Sequence, residues 1–299
     1  MAKRALSVLV SGYTFLEGLR WHEDRLWASD FYTGKVIAAG LDGRVTEMAQ
    51  VPQQPSGLGW LPDGRLLISS MRDRKVLRRE PDGTLAVHAD LTALTGGHIN
   101  DMVVDRAGRA YVGNFGFDLM SGAPFRTTGL VCVEPDGAAR VVAEGLWFPN
   151  GSFITPDGRT LIVNETFGNR VSAFDILPGG NLGPRRDWAS FGAMPDSDDI
   201  GTLMAAASIA PDGGALDAEG AVWVADAIGK RIVRVQQGGR ILEQIDTGEQ
   251  GIFAAALGGP RGTTLFMAAA PNFAEHERRA TRLGQILMAE VDVPHAGLP

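Results

Sequence analysis

Apolar residues in this chain fall in short runs broken by turn residues, and one arrangement of runs and turns keeps returning. The stretches SGLGWLPDGRLLISS, NDMVVDRAGRAYVGN, NGSFITPDGRTLIVN and DGGALDAEGAVWVAD align on the turn glycines Gly64, Gly108, Gly158 and Gly220. EGLRWHEDRLWASD before them, and AAALGGPRGTTLFMAAA after them on Gly262, extend the series to six units. From Gly64 onward the glycines are 44, 50, 62 and 42 residues apart. Within a unit, runs such as TLIVNET and VSAFDI are separated by Asp-Gly or Gly-Asn turns, which is the grammar of strands joined by hairpins. Asp-Gly suits such turns because glycine adopts positive φ without a Cβ clash. A repeat of this period with about four strands per unit predicts propeller blades. Six units predict an all-β fold, a six-bladed β-propeller with a central channel, forming one domain over residues 1–299.

The ends of the chain fit a closed ring. The apolar run Leu6 to Val10 precedes the first unit and QILMAEVDV ends the last, so both are expected to share one blade. Helical spacing is confined to two short stretches, DLTALTGG near Asp90 and AEHERRATRLG near Ala274, which excludes a helical bundle and a doubly wound sheet. Two segments, 115–129 and 191–210, are longer than blade turns need and read either as covers over a channel mouth or as plain surface insertions.

Composition narrows the class further. With 44% hydrophobic and 21% charged residues the chain reads as a soluble globular protein with a sizeable core. A formal charge of -7 argues against a nucleic-acid partner. The one dense basic run, RDRKVLRRE at 72–80, reads as the solvated face of an outer strand. No run reaches membrane-spanning length, and the apolar run after MAKR is too short for a secretory leader. The single cysteine, Cys132, excludes an internal disulfide and sits among strand residues, so a cytoplasmic location is expected.

One position per unit carries the candidate chemistry. Eight residues before each turn glycine stand Ser56, Asn100, Asn150, Asp212 and Ala254, and Glu17 opens the shorter first unit. In a propeller these residues start the innermost strands and face one another at one mouth. Glu17, Asn100, Asn150 and Asp212 present oxygen ligands only, a set suited to one divalent cation: Ca²⁺ or Zn²⁺ foremost, with Mg²⁺ or Mn²⁺ also served. Any one of them alone also reads as a turn cap; four of six equivalent positions do not. His98, two residues before Asn100, is expected to point into the same mouth, where a histidine binds substrate or shuttles protons. Trp147, Phe148, Phe115 and Phe117 give that mouth an apolar cast. No G-x-S-x-G, H-E-x-x-H, P-loop or G-x-G-x-x-G motif offers another chemistry.

With these residues placed, the chain resembles the SMP-30/gluconolactonase/regucalcin-like family over roughly residues 15–291. The motif carriers are Glu17, Gly18 and Trp21; Asn100 and Asp101; Pro149, Asn150 and Gly151; and the run from Pro211 to Ala225. The resemblance implies a six-bladed propeller with one metal ion held by Glu17, Asn150 and Asp212, and substrate contacts from Asn100. Sugar-lactone members often carry Arg where this chain has His98, which points to a substrate less polar than a sugar lactone.

The reading that follows is a divalent-metal-dependent lactonase acting on a small-molecule lactone or ester, with Asp212 as general base, Asn100 and His98 on the substrate, and Glu17, Asn150 and Asp212 on the metal. The alternatives are a non-enzymatic metal-binding scaffold or regulator, and a propeller esterase acting on open-chain esters.

Overall fold

A computed structural model describes residues 4–297. Among these residues the chain forms six four-stranded antiparallel sheets. Blades 1 to 5 are built from consecutive strands over residues 16–50, 55–90, 99–146, 149–190 and 211–246. Blade 6 takes three strands from residues 251–290 and its outer strand from Ser7–Tyr13, which pairs antiparallel with Gly284–Glu290. The two ends therefore share one blade, as the sequence predicts. Among the described residues no helix is long and apolar enough to cross a membrane.

Burial follows strand position within a blade. The inner strands Pro55–Trp60, Ile99–Val104 and Pro211–Leu216 are buried almost throughout, whereas the outer strand Val45–Gln50 is largely exposed. An inner strand has both faces covered by neighbouring blades, so its sequence reads as a continuous apolar or small run. Six core clusters fill the gaps between successive blades, such as Trp27, Val36, Leu58 and Ile68 between blades 1 and 2. A seventh, rich in phenylalanine, lies at one mouth of the channel.

Turns form where local chemistry demands them. The Asp63 and Asp157 carboxylates accept the amides of Arg65 and Arg159, and Gly64 and Gly158 take φ of 84° and 70°. At the axis, glycine serves closeness instead. A Cβ on Gly151 would come within 2.7 Å of the Asp212 carbonyl oxygen and 2.8 Å of the Gly213 Cα.

Three details depart from the sequence reading. DLTALTGG is a turn, because Gly96 and Gly97 lie against the carbonyls of Gly116 and Phe117 where a helix has no room. Segment 191–210 contains a helix the sequence reading lacks, α1 (Ile200–Ala206), whose Asp199 cap accepts from the Thr202 amide at 2.7 Å. The basic run forms a third strand, Lys75–Arg79, not an outer one. The second helical stretch is realised as α2 (Glu275–Ala280).

Candidate functional site

Glu17, Asn100, Asn150 and Asp212 all line one cavity of about 660 Å³ at a channel mouth, together with His98. Each starts, or nearly starts, the inner strand of its blade, so the ring brings together residues up to 195 positions apart. Their side chains are buried and joined by a one-way relay of hydrogen bonds. Ser56 Oγ donates to Asn100 Oδ1 at 2.8 Å, Asn100 Nδ2 donates to Asn150 Oδ1 at 3.0 Å, and Asn150 Nδ2 donates to Asp212 Oδ1. Ser56, at the same repeat position in blade 2, is the head of this relay. Asn164 Nδ2 donates to the backbone carbonyl of Asp212 and holds the end of its strand.

The electrostatics of the ring are unusual for carboxylates. Burial first, then the Asp212 and Asp101 charges, hold the Glu17 carboxyl well above the usual carboxylate range. Burial and then Asp101 do the same to Asp212, opposed by the hydrogen bond from Asn150. The nearby guanidinium of Arg20 is committed elsewhere, pairing with Asp101 at 2.8 Å and donating to the Leu19 and Met102 carbonyls. Two buried carboxyls thus share one cavity with no cationic side chain bonded to either, which is the state expected of an oxygen-ligand cation site.

The donor set fits such an ion with one adjustment. Among the described residues no three His, Cys, Asp or Glu side chains converge, and the oxygen donors gathered here are two carboxyls and two carboxamides. Asn150 turns its nitrogen toward Asp212 and its oxygen toward Asn100. An ion shared with Asp212 requires the other end of that amide, hence a rotation of the Asn150 carboxamide.

Above the ring lies a second tier, of which the sequence reading named His98, Phe115 and Phe148. Two residues ahead of each ring position stand Phe15, Gln54, His98, Phe148 and, in blade 5, Ala210. In each of these blades the backbone carbonyl of that residue accepts the amide of the residue after the second strand. The bonds are Phe31 to Phe15, Met71 to Gln54, Phe115 to His98, Thr166 to Phe148 and Ala227 to Ala210, at 2.9–3.1 Å. Blades 1 to 4 therefore each present a matched pair of side chains to the mouth, and blade 5 presents Ala227. The signal was available, because counting back ten residues from the turn glycines finds four of the five.

Both long segments reach this mouth: Leu119 and Met120 from 115–129, and Ile200 and Met204 from 191–210, line the cavity, and Phe125 N donates to the Asp198 carbonyl at 2.8 Å. A third cover, α2 with its flanks, supplies Phe273, Glu275, His276 and Arg279. Of the four aromatics singled out in the sequence, Phe115 and Phe148 line the cavity, whereas Phe117 and Trp147 pack behind it. Burial, then Arg72, pushes the His98 imidazole below its ordinary range, and its Nδ1 is buried without a partner. A larger cleft of about 1120 Å³ runs beside the closing strand, lined by Arg4, Glu243 and Glu290, but Arg4 already pairs with Glu243 there and no comparable ring of polar groups forms.

A six-bladed propeller with a polar ring at one channel mouth defines the class. The chain belongs to the SMP-30/Gluconolactonase/LRE-like family, whose profile matches residues 15–271. It is 26% identical over 258 residues to a pentonolactonase of Haloferax volcanii, covering 85% of this chain and 81% of that one. Among solved structures it superposes on a calcium-binding protein, regucalcin, from Agrobacterium tumefaciens with a TM-score of 0.80, at 20% identity over 100% and 99% of the two chains. A gluconolactonase from Xanthomonas campestris superposes with a TM-score of 0.71, at 23% identity over 97% and 89%. At these identities the structural likenesses bear on the fold.

Proposed function

We propose that this protein is a divalent-metal-dependent lactonase that opens a small-molecule lactone less polar than a sugar lactone. The observation that carries the reading is the pair of buried carboxyls, Glu17 and Asp212, facing Asn150 and Asn100 at the base of a cavity, in a family whose relatives include proteins named as lactonases. Glu17, Asn150 and Asp212 would hold the ion, and their oxygen-only character favours Ca²⁺ over Zn²⁺. A divalent cation bound there supplies Lewis-acid polarisation of the ester carbonyl and stabilises the negative charge that develops on its oxygen.

The chain's own residues do the rest. Asn100 orients the substrate through its carboxamide. Asp212 accepts a proton from water as the water oxygen bonds to the ester carbonyl carbon, then returns it to the alkoxide that leaves as the acyl–oxygen bond breaks, so a hydroxy acid forms from lactone and water alone. His98, held neutral by burial, offers a hydrogen bond to the ester without carrying charge. A buried Cys132 thiol, raised to about 11 by burial, is inert at neutral pH and consistent with a cytoplasmic site of action.

The test is to strip the protein with a chelator, restore single metals, and follow acid release from lactones and open-chain esters. Activity that returns with one metal and is lost in Asp212→Ala supports the reading. Turnover indifferent to chelation overturns it, and a bound ion without turnover on any ester identifies a binding protein instead.

A further inference from the structure

We propose that the lactone opened at this site carries a planar aromatic group, seated in a slot between two phenylalanine walls; this rests on the lactonase reading above. The first wall comes from blades 1 and 6, where the Phe15 ring lies 5.4 Å from Phe31 and 4.7 Å from Phe253. The second comes from blades 3 and 4, where the Phe148 ring lies 4.6 Å from Phe115 and 5.3 Å from Phe167. In a ring of six, blade 1 stands opposite blade 4 and blade 6 opposite blade 3, so the walls face each other. All six rings line the cavity. The two remaining blades bring no ring to these tiers: blade 2 gives Gln54 and Met71, and blade 5 gives Ala227. The space is therefore bounded by rings on two opposed sides and by smaller or flexible groups at its ends, the shape of a slot. Phenyl walls favour an inserted ring by offset or edge-to-face contact.

Hydrogen-bonding capacity argues against a sugar. A polyhydroxylated lactone loses water at each hydroxyl and needs a replacement partner for each. Above the ring position two polar side chains are already engaged. Gln54 accepts from Arg72 and donates to the Met71 sulfur, and Thr166 accepts from Asn150 and donates to the Pro211 carbonyl. At the rim, Glu275 is shared by Arg72 and Arg279, each at 2.6 Å. His98 Nδ1 is buried and unpartnered, so the imidazole has only Nε2 to turn toward an ester.

The experiment compares three six-membered lactones, dihydrocoumarin, δ-nonalactone of equal carbon count, and glucono-δ-lactone, each rate divided by its uncatalysed rate. It also measures binding of 3,4-dihydro-2-quinolinone, the lactam counterpart that is not opened. The expected result is a normalised kcat/KM for dihydrocoumarin about tenfold above δ-nonalactone and about a hundredfold above gluconolactone. Phe148→Leu and Phe253→Leu should each lower the dihydrocoumarin value and the lactam affinity about tenfold, and should lower the ratio of the dihydrocoumarin value to the δ-nonalactone value about fivefold. Preference for gluconolactone, or δ-nonalactone at or above dihydrocoumarin, overturns the aromatic class and leaves the lactonase reading standing. Lactam binding that depends on both phenylalanines, with no lactone opened under any metal, upholds the slot and sinks the lactonase reading. A lactam that does not bind overturns the slot.

Discussion

Glu17 and Asp212 carry the sharpest consequence at the scale of single residues. Their carboxyls stand well above the usual range, so the metal-free native state keeps protons that the unfolded chain releases. Between the ordinary carboxylate pKa and the raised values the folded protein binds more protons than the unfolded, and its stability falls as pH rises. An ion relieves this repulsion only when the carboxyls are ionised, so its stabilising effect grows across the same window. Thermal denaturation in chelator should show a midpoint falling from pH 5 to pH 8, and added Ca²⁺ should raise the midpoint more at pH 8. Asp212→Asn should flatten the slope and gain about 1–3 kcal/mol at pH 8 without metal, while costing about 10³-fold or more in lactone hydrolysis. A midpoint that rises with pH in chelator would contradict the burial argument. Ser56→Ala is the complementary case: it leaves the Asn100 oxygen buried without its donor and should cost about 1–3 kcal/mol in urea unfolding.

At the scale of elements, the inner strands are limited by how closely six of them approach one axis. Glycine follows the ring position at Gly18, Gly57, Gly151 and Gly213, and each would drive a Cβ into the backbone of the next blade. Gly151→Ala should therefore destabilise the fold by about 1–3 kcal/mol, read by urea denaturation, and weaken metal binding by displacing Asp212. The elements themselves were largely legible. Strand runs and Asp-Gly turns are local signals, and α2 was visible as AEHERRATRLG. α1 was not, because a short helix inside a long loop has little periodicity; only Asp199 ahead of Ile200 marked its start. DLTALTGG misled for the opposite reason, since its spacing is helical but its glycines answer to another segment's carbonyls.

The molecule as a whole depends on its closure. The strand Ser7–Tyr13 covers the edge of blade 6, and Val10 is buried in the core between blades 6 and 1. Deleting residues 1–13 exposes the edge of Gly284–Glu290 and opens that core, and should lower the calorimetric midpoint by roughly 10 °C or more. Arg4, which pairs with Glu243 and Asp292 at 2.7 Å, is a partly exposed clasp, and Arg4→Ala should cost about 1 kcal/mol or less. Equal effects from the two changes would mean that the clasp, not the strand, holds the ring.

By itself the sequence determined the blade count, the shared closing blade and the ring of Glu17, Asn100, Asn150 and Asp212, because period, turn chemistry and strand alternation are properties of neighbours along the chain. The closed ring alone decided what those residues meet. It placed Ser56 at the head of a relay ending on Asp212, set Arg20 against Asp101 instead of Glu17, and brought Phe15 and Phe253 opposite Phe148 and Phe115. The physical reason is that a propeller converts one register, counted within each blade, into a convergence across blades. Which side chains share that axis, and with what charge and hydrogen-bond order, is settled only when all six inner strands stand around it.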